Sequence, residues 1–230
     1  MAEFRVMEIK KSVFAANDRQ AQEIRDDLGH EKTFLLNLMS SPGSGKTTTL
    51  ERTIALLRDE LRIGVIEADI DSDVDARRIA KTGARVIQLH TGGMCHLDAG
   101  MTRQGLDGLG TEDLDLIILE NIGNLICPAE FDTGANRNAM ILSVPEGDDK
   151  PLKYPLMFSK VDILLINKID TLSCFDFDLE ACAGQVRRLN PKAVIFPVSA
   201  KTGEGFSAWT DWIRGEMEKI TNWTEVNTNA

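Results

Sequence analysis

Short apolar runs alternate along this chain with longer amphipathic stretches, and such alternation is typical of α/β proteins. The runs read as strands of a mostly parallel sheet that is covered on both faces. We predict strands near residues 34–39, 62–68, 85–90, 114–119, 139–144, 161–166 and 193–198. We predict helices near residues 47–60, 73–82, 95–106, 176–189 and 206–220. A further amphipathic helix, from about Val13 to Leu28, is expected to pack on the edge of the sheet.

A glycine-rich loop connects the first predicted strand to the first helix of the alternating part. Residues 40–47 read Ser-Ser-Pro-Gly-Ser-Gly-Lys-Thr, which matches a P-loop except that Ser40 stands where the pattern has Gly. Backbone N–H groups of such a loop surround a phosphate at the positive end of the helix dipole. Lys46 can reach the β- and γ-phosphates, and the Thr47 hydroxyl can bind Mg²⁺. The predicted phosphate-binding residues are Gly43, Ser44, Gly45, Lys46, Thr47 and Thr48.

Two later loops predict that the base of the nucleotide is guanine. Asn167-Lys168-Ile169-Asp170 follows the sixth strand, and the Asp170 carboxylate can accept from the two N–H donors that guanine has and adenine lacks. A site that bonds such donors rejects an analogue without them by about 10⁴–10⁵-fold. Ser199-Ala200-Lys201 follows the last strand, and a backbone N–H there can donate to the guanine carbonyl. The base-binding residues are therefore Asn167, Lys168, Asp170, Ser199, Ala200 and Lys201.

The chain length and composition suit one domain of this kind. With 230 residues, 43% of them hydrophobic, the chain can bury one α/β core and is too short for two. We expect a helical extension at residues 1–30, a P-loop NTPase domain at 31–221 and a polar tail at 222–230. The net charge of −10 argues against nucleic-acid binding and adhesion to anionic membranes. Without a signal peptide or membrane-spanning run, and with four cysteines, a cytoplasmic protein with reduced thiols is expected.

Acidic residues follow the second and fourth strands, where they can reach the phosphates. Asp69 comes directly after the second strand and can hold Mg²⁺. Asp71 and Asp73 are more typical of a capping, solvated turn, while Asp75 can serve either purpose. After the fourth strand, Glu120 takes the place of the Asp found in many GTPases. The predicted Mg²⁺ ligands are Thr47, Asp69 and Glu120.

Gly123 follows Glu120 by three residues, the spacing of the glycine whose N–H contacts the γ-phosphate in many GTPases. Asn124 then stands where many fast GTPases have a Gln that orients the attacking water. The shorter Asn side chain predicts slow hydrolysis, near the roughly 10⁻⁴–10⁻³ s⁻¹ of an unassisted GTPase. The candidate catalytic residues are Lys46, Asp75, Glu120 and Gly123.

Three potential soft-metal ligands lie between the phosphate loop and the base-reading loop. Cys95 and His96 follow the third strand, and Cys127 follows the fourth, so their loops are expected to leave adjacent strand ends and converge. On a regular helix, neighbouring residues point about 100° apart, so Cys95 and His96 need a loop to bind one ion. Thiolate and imidazole suit Zn²⁺ and Ni²⁺ alike. A buried thiol beside a polar His is the alternative. The remaining cysteines and histidines are interpreted as packing residues: Cys174, Cys182, His30 and His90.

Taken together, these segments resemble HypB, a family of GTPases that assist nickel insertion into nickel-iron hydrogenase. The resemblance rests on the phosphate loop, residues 73–79 (Asp-Val-Asp-Ala-Arg-Arg-Ile), residues 91–99 (Thr-Gly-Gly-Met-Cys-His-Leu-Asp-Ala), residues 120–128 (Glu-Asn-Ile-Gly-Asn-Leu-Ile-Cys-Pro) and Asn167 to Asp170. The urease counterpart, UreG, is similar in design and less close in these runs. Unlike some HypB proteins, residues 1–90 contain no cysteine and no His-rich tract.

The resemblance implies a GTPase of the SIMIBI class, which includes the signal-recognition-particle and MinD-like proteins, that dimerises on binding GTP. Its metal site would lie at the dimer interface and use Cys95, His96 and Cys127. The implied cofactors are GTP, Mg²⁺, and Ni²⁺ or Zn²⁺ or both. The implied partners are a nickel-delivery protein and the hydrogenase large-subunit precursor, with no nucleic acid and no membrane insertion. A nucleotide-switched docking module with structural zinc, a UreG-like urease maturation GTPase and a small-molecule phosphotransferase remain the alternatives.

Overall fold

A computed structural model describes the backbone of residues 9–69 and 73–228 and the side chains of residues 14–69 and 73–220. All seven predicted strands are present, within three residues of the expected bounds: β1 Phe34–Ser40, β2 Ile63–Asp69, β3 Arg85–His90, β4 Leu116–Glu120, β5 Arg137–Ser143, β6 Ile163–Asn167 and β7 Val194–Pro197. They form one parallel sheet in the order β3-β2-β4-β1-β5-β6-β7. The predicted α/β class is confirmed.

The helices lie on both faces of this sheet. Their bounds are α1 Ile9–Glu31, α2 Lys46–Leu57, α3 Val74–Ala80, α4 Ala99–Leu109, α5 Lys150–Lys153, α6 Pro155–Lys160, α7 Leu179–Leu189 and α8 Phe206–Thr228. Three 3₁₀ helices, Cys127–Ala129, Val144–Glu146 and Ile169–Cys174, follow β4, β5 and β6. The sequence did not predict α5 and α6, which are too short for a helical repeat of apolar positions, although Pro151 and Pro155 stand in their first turns as at many helix starts.

Alternate residues of the central strand β1 enter the core on opposite faces of the sheet. Leu36 and Leu38 pack with α2 and α8, whose Ile54 and Trp209 are buried in the same cluster. Leu35 points to the other face and packs in a second cluster with α1 and α4. A third cluster joins β5 and β6 to α6 and α7.

Helix α1 covers a face of the sheet, so its predicted position at the sheet edge is wrong. Ala21, Ile24 and Leu28 of α1 are buried in one cluster with Leu35 of β1 and Ile117 of β4. These strands are neighbours near the middle of the sheet. The alternation of apolar and polar residues predicted an amphipathic helix, but it carries no information about which strands the apolar face meets. Helix α8 runs on to Thr228, into the predicted tail, and the division into extension, domain and tail stays a prediction.

In the described part of the chain we find no helix with the length and apolarity that a membrane crossing needs.

Candidate functional site

The phosphate loop lies at the carboxyl end of β1, between β4 and β5. This edge is where ligands bind in open parallel sheets. Gly45 ends the loop with φ of 99° and caps α2, and Gly43 has φ of 75°, both in the left-handed region that favours glycine. The α2 helix then starts at Lys46, so its first N–H groups face the loop. The predicted strand, glycine loop and helix start are therefore all in place.

Ser40, the departure from the P-loop pattern, is accommodated at the buried end of β1. Its hydroxyl donates to the Ser41 carbonyl at 2.7 Å and accepts from Lys46 Nζ at 3.0 Å. The sequence leads us to expect a solvent-facing Lys46 side chain in the empty protein, and this expectation is wrong, because the side chain lies partly buried against the Ser40 hydroxyl. Burial lowers the pKa of Lys46, and the nearby carboxylate of Glu120 acts in the opposite direction.

The base-reading loop is bonded directly to the phosphate loop. Asn167 Nδ2 donates to the Ser44 carbonyl at 3.0 Å, and Lys168 Nζ donates to the Gly43 carbonyl at 2.7 Å. A Cβ on Gly45 would come within 2.6 Å of Asn167 Nδ2, so the contact requires glycine there. Asn167 therefore joins the two halves of the cleft.

The third predicted element completes the base-reading end. The Ser199 hydroxyl donates to Asp170 Oδ1 at 2.6 Å, and the Ala200 N–H donates to Asn167 Oδ1 at 3.0 Å. The Ala200 N–H is used by Asn167, and the N–H groups of Ser199, Thr202 and Gly203 also have partners within the protein. Among these described loop residues, the Lys201 N–H is therefore the one available to a guanine carbonyl. The Asp170 carboxylate keeps its second oxygen for the base.

Phosphate-binding and acidic residues line one cleft of about 450 Å³. Its walls are Pro42, Gly43, Gly45, Lys46, Thr47, Thr48, Asp69, Asp75, Arg78, Glu120, Ile122 and Gly123. A Cβ on Gly123 would lie 3.1 Å from the Pro42 nitrogen, so the Gly123 backbone is packed directly against the phosphate loop. The predicted γ-phosphate contact, Gly123, is therefore next to the loop that would hold the phosphates.

Carboxylates cluster at the floor of this cleft. Glu67 on β2 and Glu120 on β4 are register partners, and with Asp75 they place carboxylate oxygens within 4.8 Å of one another. Thr47 Oγ1 donates to Glu120 Oε1 at 3.3 Å. Burial, with a contribution from Glu120, raises the pKa of Glu67 to about 8, and burial raises the pKa of Glu120 to about 7.

This arrangement fits a divalent cation. Glu67 and Glu120 are 3% and 2% exposed, and each has one oxygen, Oε2, without a hydrogen-bond partner in the described structure. Buried carboxylate oxygens that lack donors are costly unless a cation satisfies them, and oxygen ligands are those that Mg²⁺ prefers. The predicted ligands Thr47, Asp69 and Glu120 are all at this cleft.

Sequence reasoning missed two charged residues, Arg78 in the wall of the cleft and Glu67 beside Glu120. Glu67 carried a signal, because it is a carboxylate inside the otherwise apolar strand β2. Arg78 pairs with Glu51 at 2.7 Å and with Asp75 at 3.5 Å, and its i+3 spacing from Asp75 placed both on one helix face. Asp73 is exposed and pairs with Arg77 at 2.6 Å, in agreement with a solvated turn, and Asp71 lies outside the described residues.

Cys95, His96 and Cys127 converge beside this cleft. Their potential ligand atoms lie within 4.8 Å of one another, and the Sγ atoms of Cys95 and Cys127 are 2.9 Å apart. Helix α4 begins only at Ala99, because Asp98 Oδ1 caps it by accepting from the Met101 N–H at 2.8 Å. The predicted helix from residue 95 therefore starts later, and Cys95 and His96 lie in the loop that a shared ion requires.

The two loops are not on adjacent strands as expected, since β2 lies between β3 and β4. The loop after β3 reaches past the end of β2 to meet Cys127. Asn124 bonds the two loops, because its Nδ2 donates to the Cys95 carbonyl at 3.3 Å. Asn124, which we predicted as a weak water-orienting residue, thus links Gly123 to the loop that carries Cys95 and His96.

The surroundings of Cys95 and His96 shift their pKa values in directions that bear on metal binding. The hydrogen bond with Cys127 raises the pKa of Cys95, so a bound cation would have to displace a proton. Burial lowers the pKa of His96, which favours the neutral imidazole that ligates metals.

Of the four residues interpreted as packing, Cys182 is buried, whereas Cys174, His30 and His90 are exposed.

The fold and this cleft define a P-loop nucleotide-binding protein, and the chain belongs to the CobW/HypB/UreG family, whose nucleotide-binding domain matches residues 34–197. Within that family, HypB proteins are among its relatives. It is 47% identical to the hydrogenase maturation factor HypB of Azotobacter vinelandii over 213 residues, which are 93% of this chain and 70% of that protein. The Escherichia coli K12 HypB is 43% identical over 93% of this chain and 73% of its own length.

Solved HypB structures share the fold. HypB of Helicobacter pylori in complex with nickel superposes with a TM-score of 0.84 at 38% identity, over 89% of this chain and 96% of that one. HypB of Archaeoglobus fulgidus gives a TM-score of 0.82 at 38% identity, over 88% and 99%. The signal recognition particle receptor FtsY of Elizabethkingia anophelis, 15% identical with a TM-score of 0.53 over 78% of this chain and 65% of that one, shares the fold alone.

Proposed function

We propose that this chain is a GTP-hydrolysing metallochaperone that assists nickel insertion during maturation of nickel-iron hydrogenase. The observation that carries the proposal is the segment from Glu120 to Cys127, which joins the nucleotide cleft to the thiol cluster. Glu120 bonds Thr47, Gly123 packs on the phosphate loop, and Asn124 bonds the Cys95 loop. A γ-phosphate that moves Gly123 would therefore also move Cys127. A relative with nickel bound adds support.

In this proposal, the described side chains divide the work of GTP binding. The Asp170 carboxylate and the Lys201 N–H select guanine, while Lys46 leaves the Ser40 hydroxyl to neutralise the β- and γ-phosphates. Thr47, Asp69 and Glu120 would hold Mg²⁺, which would neutralise charge on the transferred phosphoryl group. The Asp75 carboxylate, which lies close to that of Glu120, would accept a proton from the attacking water.

Nickel is the cargo of the proposed protein, held by Cys95, His96 and Cys127. Three ligands are one short of a closed tetrahedral shell. Apolar side chains flank the site and the mouth of the cleft: Met94 is 42% exposed, Ile126 58% and Val74 61%. A second copy of this chain would cover this apolar surface and supply further ligands, so we propose a homodimer that forms on GTP binding.

The partners we propose are a nickel-delivery protein and the precursor of the hydrogenase large subunit, in the cytoplasm. Three other functions remain as alternatives for the same cleft: a docking module whose thiols hold structural zinc, urease maturation like that of UreG, and transfer of phosphate to a small molecule. Phosphate release from GTP without a phosphorylated acceptor would exclude the phosphotransferase.

The decisive experiment compares the affinity for Ni²⁺ with a non-hydrolysable GTP analogue and with GDP. A metallochaperone should bind Ni²⁺ with affinities that differ by about 5–150-fold between the two states, the usual range of coupling between sites. Equal affinities would favour a structural ion and contradict the proposal. In parallel, Lys46→Ala should abolish phosphate release and keep the circular dichroism spectrum, because it removes phosphate stabilisation rather than core packing.

A further inference from the structure

Helix α1 crosses the two segments that carry the thiol and imidazole groups, and one side chain bonds to the backbone shortly after each of them. Asn17 is 7% exposed. Its Oδ1 accepts from the Ala99 N–H at 2.9 Å, and its Nδ2 donates to the Asp132 carbonyl at 2.9 Å. Ala99 follows His96 by three residues, and Asp132 follows Cys127 by five. The Asn17 amide therefore ties the Cys95–His96 loop to the Cys127 loop.

Other α1 side chains hold the second of these loops. The Arg25 guanidinium donates to both carboxylate oxygens of Asp132, at 2.7 and 2.9 Å. The Phe14 ring lies 5.1 Å from the Phe131 ring, which stacks on the His96 imidazole at 4.0 Å and 16°. An aromatic chain from α1 thus ends on a candidate metal ligand.

These contacts matter because the candidate ligands come from irregular loops rather than from strands or long helices. Cys95 and Cys127 are 32 positions apart, and no strand ladder fixes the distance between their loops. A metal site needs its ligands held in place before the ion binds. Asn17 is 7% exposed, and its hydrogen bond with the Ala99 N–H is buried, so water competes little for that bond.

We propose that Asn17 is a positioning residue for the metal site, and that α1 holds the Cys95–His96 loop and the Cys127 loop at the separation that binds the ion. The inference rests on the proposed metal-binding function and goes beyond it, because it assigns α1 a role in metal affinity. It predicts that a residue 78 positions before Cys95 controls how tightly the ion is held.

The test titrates Ni²⁺ into the full chain and follows the thiolate-to-nickel charge-transfer absorption. Asn17→Ala should lower the Ni²⁺ affinity by about 10–100-fold, the usual effect of removing a group that orients metal ligands, and should alter the band. The GDP affinity should stay at the wild-type value, because Asn17 lies outside the nucleotide cleft. Asn17→Asp keeps the acceptor for Ala99 but sets a carboxylate oxygen against the Asp132 carbonyl, so it should lower the Ni²⁺ affinity at least as much.

Asp27→Ala is the matched control. It removes the 2.6 Å bond from Arg103 to Asp27, which joins α1 to α4 without contacting either ligand loop. The positioning role would be overturned if Asn17→Ala and Asn17→Asp both kept the wild-type Ni²⁺ affinity and absorption band. It would also be overturned if Asp27→Ala lost as much Ni²⁺ affinity as Asn17→Ala. If Asn17→Ala fails to fold, Asn17→Asp decides. A wild type without the charge-transfer band would overturn the metal site itself, and the role of Asn17 with it.

Discussion

At the scale of single residues, a hydrogen bond orients the Asp170 carboxylate, which we propose reads the base. The Ser199 hydroxyl bonds one carboxylate oxygen at 2.6 Å, and this fixes the direction of the other. The neighbouring Asn167 has a different task, because both ends of its amide are used within the protein, at Ser44 and Ala200. In the proposed function, base selection and loop connection therefore belong to different side chains of the same motif.

We predict that Asp170→Asn shifts preference from GTP to xanthosine triphosphate. The xanthine carbonyl replaces the exocyclic amine of guanine, and the Asn amide can donate to it. GTP affinity should fall by as much as about 10⁴-fold, since the Asn amide would place a donor against the N–H donors of the bound guanine and leave them unpaired. Competition binding measures the change, with Asp176→Asn at an exposed position nearby as the control. A variant that keeps the wild-type preference for GTP would show that Asp170 does not read the base.

Glu67 predicts a pH dependence of stability. Its pKa rises from the ordinary 4.5 to about 8, so over this range the folded protein binds a proton that the unfolded chain releases. The free energy of unfolding should therefore fall as the pH rises from about 4.5 to about 8. Glu67→Gln should reduce this fall, as measured by urea unfolding in EDTA at pH 5 and pH 8. The exposed Glu218→Gln should behave like the wild type, and an unchanged pH dependence in Glu67→Gln would refute the assignment.

At the scale of elements, the phosphate loop is joined to the end of β6 by the contact between Gly45 and Asn167. Both Gly43 and Gly45 have positive φ, at 75° and 99°. Only Gly45 also faces a neighbour at close range, Asn167 Nδ2, whereas a Cβ on Gly43 would meet nothing within 4 Å. A comparison of substitutions at the two glycines therefore distinguishes the cost of backbone strain, which both would have, from the cost of a packing clash, which only Gly45 would have.

Gly43→Ala should destabilise the nucleotide-free protein by about 1–2 kcal/mol, the cost of a left-handed residue with a Cβ. Gly45→Ala should cost at least about 1 kcal/mol more, because it also displaces Asn167 from Ser44. Urea unfolding of the two variants measures the difference. Equal losses would mean that the Asn167 contact is not important for stability.

At the scale of the whole molecule, the nucleotide cleft and the thiol cluster share the segment that ends in Cys127, and exposed apolar residues surround its outer side. A dimer across that surface would couple three equilibria: nucleotide binding, metal binding and association. Linkage requires that if GTP tightens metal binding, the metal tightens GTP binding by the same free energy, typically about 1–3 kcal/mol.

We predict that a GTP analogue with Ni²⁺ gives a dimer in sedimentation and that GDP without metal gives a monomer. Cys127→Ala should abolish the effect of Ni²⁺ on association and spare nucleotide affinity in the monomer, because Cys127 lies outside the phosphate cleft. Cys174→Ala, at an exposed cysteine of the β6 loop, should behave like the wild type. A wild type that stays monomeric with either nucleotide, with or without Ni²⁺, would contradict the dimeric mechanism.

Local patterns in the sequence determined the strands, the phosphate loop and the base-reading motif. An apolar run, a glycine spacing or an Asn-Lys-x-Asp turn involves residues close in the chain, and its meaning depends little on the rest of the fold. The start of α4 also has a local signal in the sequence, because Asp98 is of a residue type that commonly caps helices. We nevertheless placed that start at residue 95, because the apolar pattern continues upstream.

Only the tertiary structure decided which distant residues meet. The pairing of Glu67 with Glu120 follows from β2 lying beside β4, and the Cys95–Cys127 contact follows from a loop that passes the end of β2. Asn17 reaches Asp132 across 115 positions because α1 packs on a face of the sheet rather than on its edge. Such contacts depend on strand order and on which face a helix covers, and neither is encoded in the local alternation of apolar and polar residues.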